Sequence, residues 1–317
     1  TNLRLPSTLQ TIGNRAFYNT ALTNVTYAGN GAAFAQISIG RNNTALTNAS
    51  ITYQTGDSGT IGSSAFWEYN SNTKTLTISG TGNATNAIPW NQYCSSIEKV
   101  VVEEGITGLT SYAFQNCYNL TTVSLPSTLT GNLYDYTFYN CTSLEEITIP
   151  EEITGLASGV FRNCTSLKHI TIPSSVQYIG NNAFENCTSL EKVTVLGDIS
   201  VLGSSAFSGC SSLKEFEIVG SIAAVNGYAF ENCTSLAEIE FPEGFAQLTG
   251  NGHFSGCTAL QRVTLPSSLE SIGNPFWGGG YIIAPQIIYN ADPKHWAGIT
   301  NVQQMSQYDI HFAIDGT

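Results

Sequence analysis

Apolar positions along residues 184–206 alternate, pause and alternate again. Leu190-x-x-Val193-x-Val195 switches between apolar and polar, the signature of a short strand with two inward side chains. A second apolar pair follows at Ile199 and Leu202, and Gly203 then supplies a turn. Ala206-Phe207 opens a short return segment of at most one helical turn that leads to the next cysteine. In other copies of this string proline stands directly after the strand, at Pro126, Pro150, Pro173 and Pro266, where it ends the pairing. The residue before the cysteine is Asn (116, 140, 163, 186, 232) or Gly (209, 256). Both types tolerate left-handed backbone, so a positive φ is predicted there.

The string recurs along most of the chain. Cys94, Cys117, Cys141, Cys164, Cys187, Cys210, Cys233 and Cys257 are 23 or 24 residues apart, with an aliphatic residue three positions after each. Phe114, Phe138, Phe161, Phe184, Phe207, Phe230 and Phe254 keep step ahead of them. A rung of this size cannot bury its own apolar face, but stacking on neighbours does so. The strands are expected to form one continuous parallel sheet, with Cys and Phe columns in the core.

Asn-Cys-Thr-Ser-Leu-x-x-Ile-x-Ile-Pro, at 140–150 and 163–173, and Ile-Gly-x-x-Ala-Phe, at Ile12–Phe17 and Ile179–Phe184, carry a further message. This pattern resembles the BspA-like leucine-rich-repeat family over nearly the whole chain. The resemblance implies a curved leucine-rich-repeat solenoid, a right-handed superhelix with a parallel β-sheet on one face. Short turns, 3-10 or helical segments are implied on the other face. Known members are bacterial surface or secreted proteins, and some are adhesins toward host proteins.

The register breaks after Tyr27 and resumes near Ile97. Residues 1–53 read as the last rung and C-terminal cap of a first array whose beginning is missing, with Thr20 in place of Cys. Residues 54–62 read as a Gly/Ser/Thr-rich linker, and 63–93 as a hairpin-like N-terminal cap with Trp67, Tyr69 and Trp90. The second array spans 94–285, becoming degenerate at Gly278–Gly280 and ending near Tyr281, and 286–317 form its C-terminal cap. The caps match: Val25 to Tyr53 in the first array resembles Ile288 to Phe312 in the second.

Composition narrows the function classes. Only 11% of residues are charged, against a usual quarter, so Thr, Ser, Asn and Gly must cover the surface. That suits a secreted or cell-surface protein. The net charge of −12 repels phosphate backbones, which argues against a nucleic-acid partner. No apolar run is long enough to span a bilayer, and no wall-sorting motif stands at Asp315-Gly316-Thr317. The absence of a signal peptide at Thr1 carries no weight in a chain that begins within a repeat.

The cysteines lack the close pairing a zinc site needs. Rungs ~4.8 Å apart bring neighbouring cysteines near bridging distance. Their shared inward position instead predicts eight buried free thiols. On the outer face of the strands two columns are exposed. The first runs Lys99, Thr122, Glu146, His169, Lys192, Glu215, Glu238, Arg262. The second runs Val101, Ser124, Thr148, Thr171, Thr194, Glu217, Glu240, Thr264. Glu215, Glu217, Glu238 and Glu240 thus converge on adjacent strands, at a cost of up to about 1 kcal/mol per like pair. Such a cost can mark a site for a cation or basic partner. A solvated acidic face, offset by Lys192 and Arg262, is the plainer alternative. These six residues and His169 are the candidate binding set. No calcium-loop spacing accompanies them, and no metal or cofactor is expected.

The next column, Glu145, Lys168, Glu191, Lys214, alternates in sign and reads as surface ion pairs. His169, His253, His295 and His311 share no motif, and no catalytic signature appears. Sequons such as Asn140-Cys-Thr142 recur with the repeat, their Asn expected to be engaged by the turn. The reading is therefore a non-enzymatic, monomeric binding module for a protein, such as host extracellular matrix or another cell's surface. A carbohydrate-binding surface, marked by exposed aromatics that the two columns lack, and a spacer for other domains are the alternatives.

Overall fold

A computed structural model describes residues 2–7, 9–29, 34–53, 56–61, 64–84, 88–276 and 285–313, with the side chains of 53, 56, 57 and 60 aside. Front strands form where the alternation predicts them, as at His169–Ile172, Lys192–Val195 and Glu215–Ile218. They pair in parallel one full rung apart, His169 opposite Lys192 and Lys192 opposite Glu215. The exposed columns are thereby the ones expected, except that Thr264 at the end of the second is buried, and Val193 and Val195 point into the core with no exposed surface.

Behind them the second apolar pairs also make strands. Gly131–Leu133, Ile153–Leu156, Tyr178–Ile179, Val201–Leu202, Ala224–Val225, Gln247–Asn251 and Ser271–Asn274 hydrogen-bond in that order into a parallel back sheet. A two-residue segment cannot display alternation, so the sequence shows it only as an apolar pair. The front sheet, by contrast, is not continuous as expected. Residues 146–149 form no strand, and strand Glu215–Ile218 has no ladder to Glu238–Glu240.

The return segments are turns. The residue before each cysteine from Cys117 onward is left-handed as predicted, from Asn116 (φ 62°) to Gly256 (φ 72°). A second left-handed column stands four residues earlier, at Tyr112, Tyr136, Gly159, Asn182, Ser205, Tyr228 and Gly252. Two such residues within five positions prevent a helix. The sequon asparagines form a side-chain ladder: Asn140, Asn163 and Asn186 each donate Nδ2 to the asparagine one rung earlier, at 2.8, 2.7 and 3.1 Å.

Trp90 stacks on Phe114, and the Phe column continues through Phe138, Phe161, Phe184, Phe207 and Phe230 to Phe254, with centroids 4.9–6.1 Å apart. Beside it, Cys141, Cys164, Cys187, Cys210, Cys233 and Cys257 are buried free thiols. Each donates Sγ–H to the Phe carbonyl of the preceding rung, as Cys187 does to Phe161 at 3.1 Å. The expectation of eight free thiols is corrected at the start of the array, where Cys94 and Cys117 form a disulfide with Cα atoms 4.1 Å apart. Cys94 follows Tyr93 in a short 3-10 turn, itself helical at φ −56°, so it lies outside the rung geometry that orients the others.

The expected linker is corrected in the same region. Gly56–Ile61 is a strand, antiparallel to Ala65–Asn70, which pairs with Thr75–Gly80 and through it with the front strand Lys99–Val102. Gly59 is small for a reason: a Cβ there would lie 2.8 Å from Trp67 Nε1. Residues 54, 55 and 62 lie outside the described residues, as do Gly278–Gly280, the array end near Tyr281 and Asp315–Thr317. The two cap-like segments share an arrangement. Asn24–Tyr27, a short helix at Thr44–Thr47 and Ser50–Tyr53 correspond to Gln286–Tyr289, Pro293–Trp296 and Ile310–Phe312, with the outer strands parallel in each.

Candidate binding face

The outer surface of the front sheet brings six of the seven candidate residues together. Lys192 Nζ lies 2.9 Å from Glu215 and 3.2 Å from Glu217, and Thr194 donates to Glu217 at 3.3 Å. Hydrogen bonds to Glu215 and then Glu217 hold the Lys192 ammonium above its ordinary pKa. Arg262 pairs with Glu238 across the next strands. Glu240 has no cation partner among the described residues. With Lys214 also lining it, four carboxylates stand against three cations, which leaves the patch with a net charge near −1.

These six residues surround a depression of about 510 Å³ floored by Phe216, Ile218, Ile239 and Pro242. It lies over the gap where the ladder between Glu215–Ile218 and Glu238–Glu240 is open. His169 is separate. It lines a second depression, about 800 Å³, with Glu145, Glu146, Glu151 and Lys168, over the strandless residues 146–149. Both depressions therefore sit on the two interruptions of the front sheet.

The alternating column resolves into two discrete pairs, Lys168–Glu145 at 2.7 Å and Lys214–Glu191 at 2.9 Å, all exposed. Such solvent-screened pairs contribute little to stability. Two apolar residues that the sequence reading missed adjoin the acidic strands. Leu196 and Val219 are 39% and 61% exposed, in the column that other rungs fill with proline. That substitution was the available signal. The other histidines stand apart: His295 meets Tyr289 and His311 meets Asp309. His253 is buried in a column otherwise held by small residues such as Ala206 and Ala229. Burial pushes its pKa down to about 4, against a weaker upward pull from the backbone of Thr249 and Asn226. Neither ring nitrogen reaches full hydrogen-bonding geometry.

No helix among the described residues is long and apolar enough to cross a membrane. No curated protein matches this chain. Among solved structures, a leucine rich cell surface protein from Faecalibacterium prausnitzii A2-165 is 22% identical, over 95% of this chain and 82% of its own, with a TM-score of 0.42. A leucine-rich repeat protein from Bacteroides ovatus ATCC 8483 is 19% identical, over 99% and 84%, with a TM-score of 0.42. The T. pallidum leucine rich repeat protein is 23% identical, over 54% and 86%, with a TM-score of 0.44. The model of the BspA type leucine rich repeat region matches six copies, over residues 1–87, 91–214 and 183–279. With that repeat covering most of the chain, and its stacked parallel rungs laid out above, the protein belongs to the BspA-type leucine-rich repeat family.

Proposed function

We propose that this chain is a non-enzymatic binding module, displayed on or secreted from a bacterial cell, that takes a protein partner on its front sheet. The supporting observation is the depression over the open ladder, where Glu215, Glu217, Glu238 and Glu240 outnumber Lys192, Lys214 and Arg262. Leu196 and Val219 beside it offer apolar contact. A partner with a basic, partly apolar surface complements both, as an extracellular-matrix protein or another cell's surface protein can. In the same reading the protein is a monomer. Residues 1–53 close a first array, and 63–93 and 286–317 cap a second at 94–285.

The test is binding of the purified chain to immobilised matrix proteins and mucin, beside a variant with Glu215, Glu217, Glu238 and Glu240 changed to Gln. Saturable binding that weakens about tenfold or more in the variant, and with added salt, is expected. Equal binding by both proteins, or none to any surface, would overturn the proposal.

A further inference from the structure

A third depression, about 250 Å³, opens where two parts of the chain with separate apolar cores meet. One wall is sheet. Strand Ala65–Asn70 alternates, with Ala65, Trp67 and Tyr69 buried, so Phe66 and Glu68 stand on its other face. The antiparallel registers set Ser79 opposite Phe66 and Ser58 opposite Glu68, which adds two hydroxyls to that face. The other wall is Pro6 and Ser7, directly after Leu5 of the first core. Tyr27 holds this wall in place, donating its phenol to the Ser7 carbonyl at 3.0 Å. Ser7 Oγ in turn meets Ser58 Oγ, and Arg4 reaches Glu68 Oε2 at 2.8 Å.

The walls differ in what they leave open. Phe66 is 36% exposed, and its ring stacks on no other ring among the described residues. Pro6, also exposed, supplies a second apolar surface across from the sheet. Glu68 lines the same space, and its Oε1 is buried without a hydrogen-bond partner. A buried acceptor left bare is costly, and a ligand that brings a donor relieves that cost. Charge narrows the class of ligand. Arg4 already balances Glu68, so an ammonium group finds no uncompensated charge, and an anion meets a carboxylate. A neutral molecule with an apolar face and hydroxyl donors fits both conditions.

We infer that this cleft holds one residue of a neutral sugar, at a site apart from the front sheet and independent of the protein-binding reading. A pyranose turns C–H groups toward Phe66 and Pro6, and hydroxyls toward Glu68, Ser58 and Ser79. The space falls below the roughly 300 Å³ at which pockets for larger ligands begin, so it takes a single ring rather than a stretch of chain.

The experiment is saturation-transfer NMR on the whole chain with the methyl glycosides of glucose, galactose, mannose and N-acetylglucosamine. Butylammonium and glucuronate serve as charged controls. At least one neutral glycoside should bind saturably. Phe66→Ala should weaken that binding about tenfold. Glu68→Gln should weaken it as well, because it removes an acceptor oxygen while leaving the ring. Thermal unfolding would verify that both variants remain folded. Binding of none of the four glycosides, binding of a charged control alone, or equal binding in the folded variants would each overturn the assignment. So would a loss of matrix-protein binding in Phe66→Ala, which would make the ring part of the protein interface.

Discussion

Phe184 is covered on both faces, by Phe161 at 5.2 Å and Phe207 at 4.9 Å. Phe184→Ala therefore opens a void that the stack on either side cannot close, and a loss of about 3–5 kcal/mol is expected in urea unfolding. A change below 1 kcal/mol would mean the neighbouring rungs collapse onto one another. The thiols allow a direct count. Six groups should react in unfolded, unreduced protein and eight after reduction; eight before reduction would contradict the Cys94–Cys117 bridge. His253 governs an acid response. Its folded pKa of about 4 lies below the ordinary 6.5, so between those values the unfolded chain binds a proton that the folded chain refuses. Stability from this group is complete above about pH 6.5, falls as the pH drops through the window and levels off below about pH 4, a loss of ~3 kcal/mol. His253→Ala should flatten that slope when unfolding free energies are compared at pH 7, 5 and 4.

At the scale of strands, the opening between Glu215–Ile218 and Glu238–Glu240 coincides with like charges in both exposed columns. Changing Glu217 and Glu240 to Thr, the residue at 148, 171, 194 and 264 in that column, should remove the repulsion in that column and favour closing of the ladder. A gain of about 1 kcal/mol and slower amide exchange at Ile239 are expected; unchanged exchange would mean the charges do not hold it open. Much of this architecture was legible because the front strand is long enough to alternate and because cysteine spacing fixes its register. The left-handed residue before cysteine was legible for the same reason: Asn and Gly alternate at one position. The back sheet was hidden by the brevity of pairs such as Val201–Leu202. Strand Gly56–Ile61 was hidden because Gly59, which reads as linker, makes room for Trp67.

Over the whole molecule, the described apolar cores are two. One cluster runs from Ile61 to Met305, and the other joins Leu5, Ile12, Val25, Tyr27, Ile37 and Leu46. Each rung contacts little beyond its neighbours, so stability sums along the stack rather than through one centre. Calorimetry should resolve a small transition from the first core and a large one from the second. Removing residues 1–53 should delete only the former, whereas a single merged transition would mean that the two cores melt as one. The two sheets also differ mechanically. The back sheet is uncut through seven strands and serves as a spine, while the front is slatted, with gaps at 146–149 and between Glu215–Ile218 and Glu238–Glu240. The front gaps lack the ladder hydrogen bonds that join the seven back strands, so spreading is resisted less there than along that spine. A partner seated in either gap would act as a wedge, fixing the arc of the entire solenoid from a single point of contact.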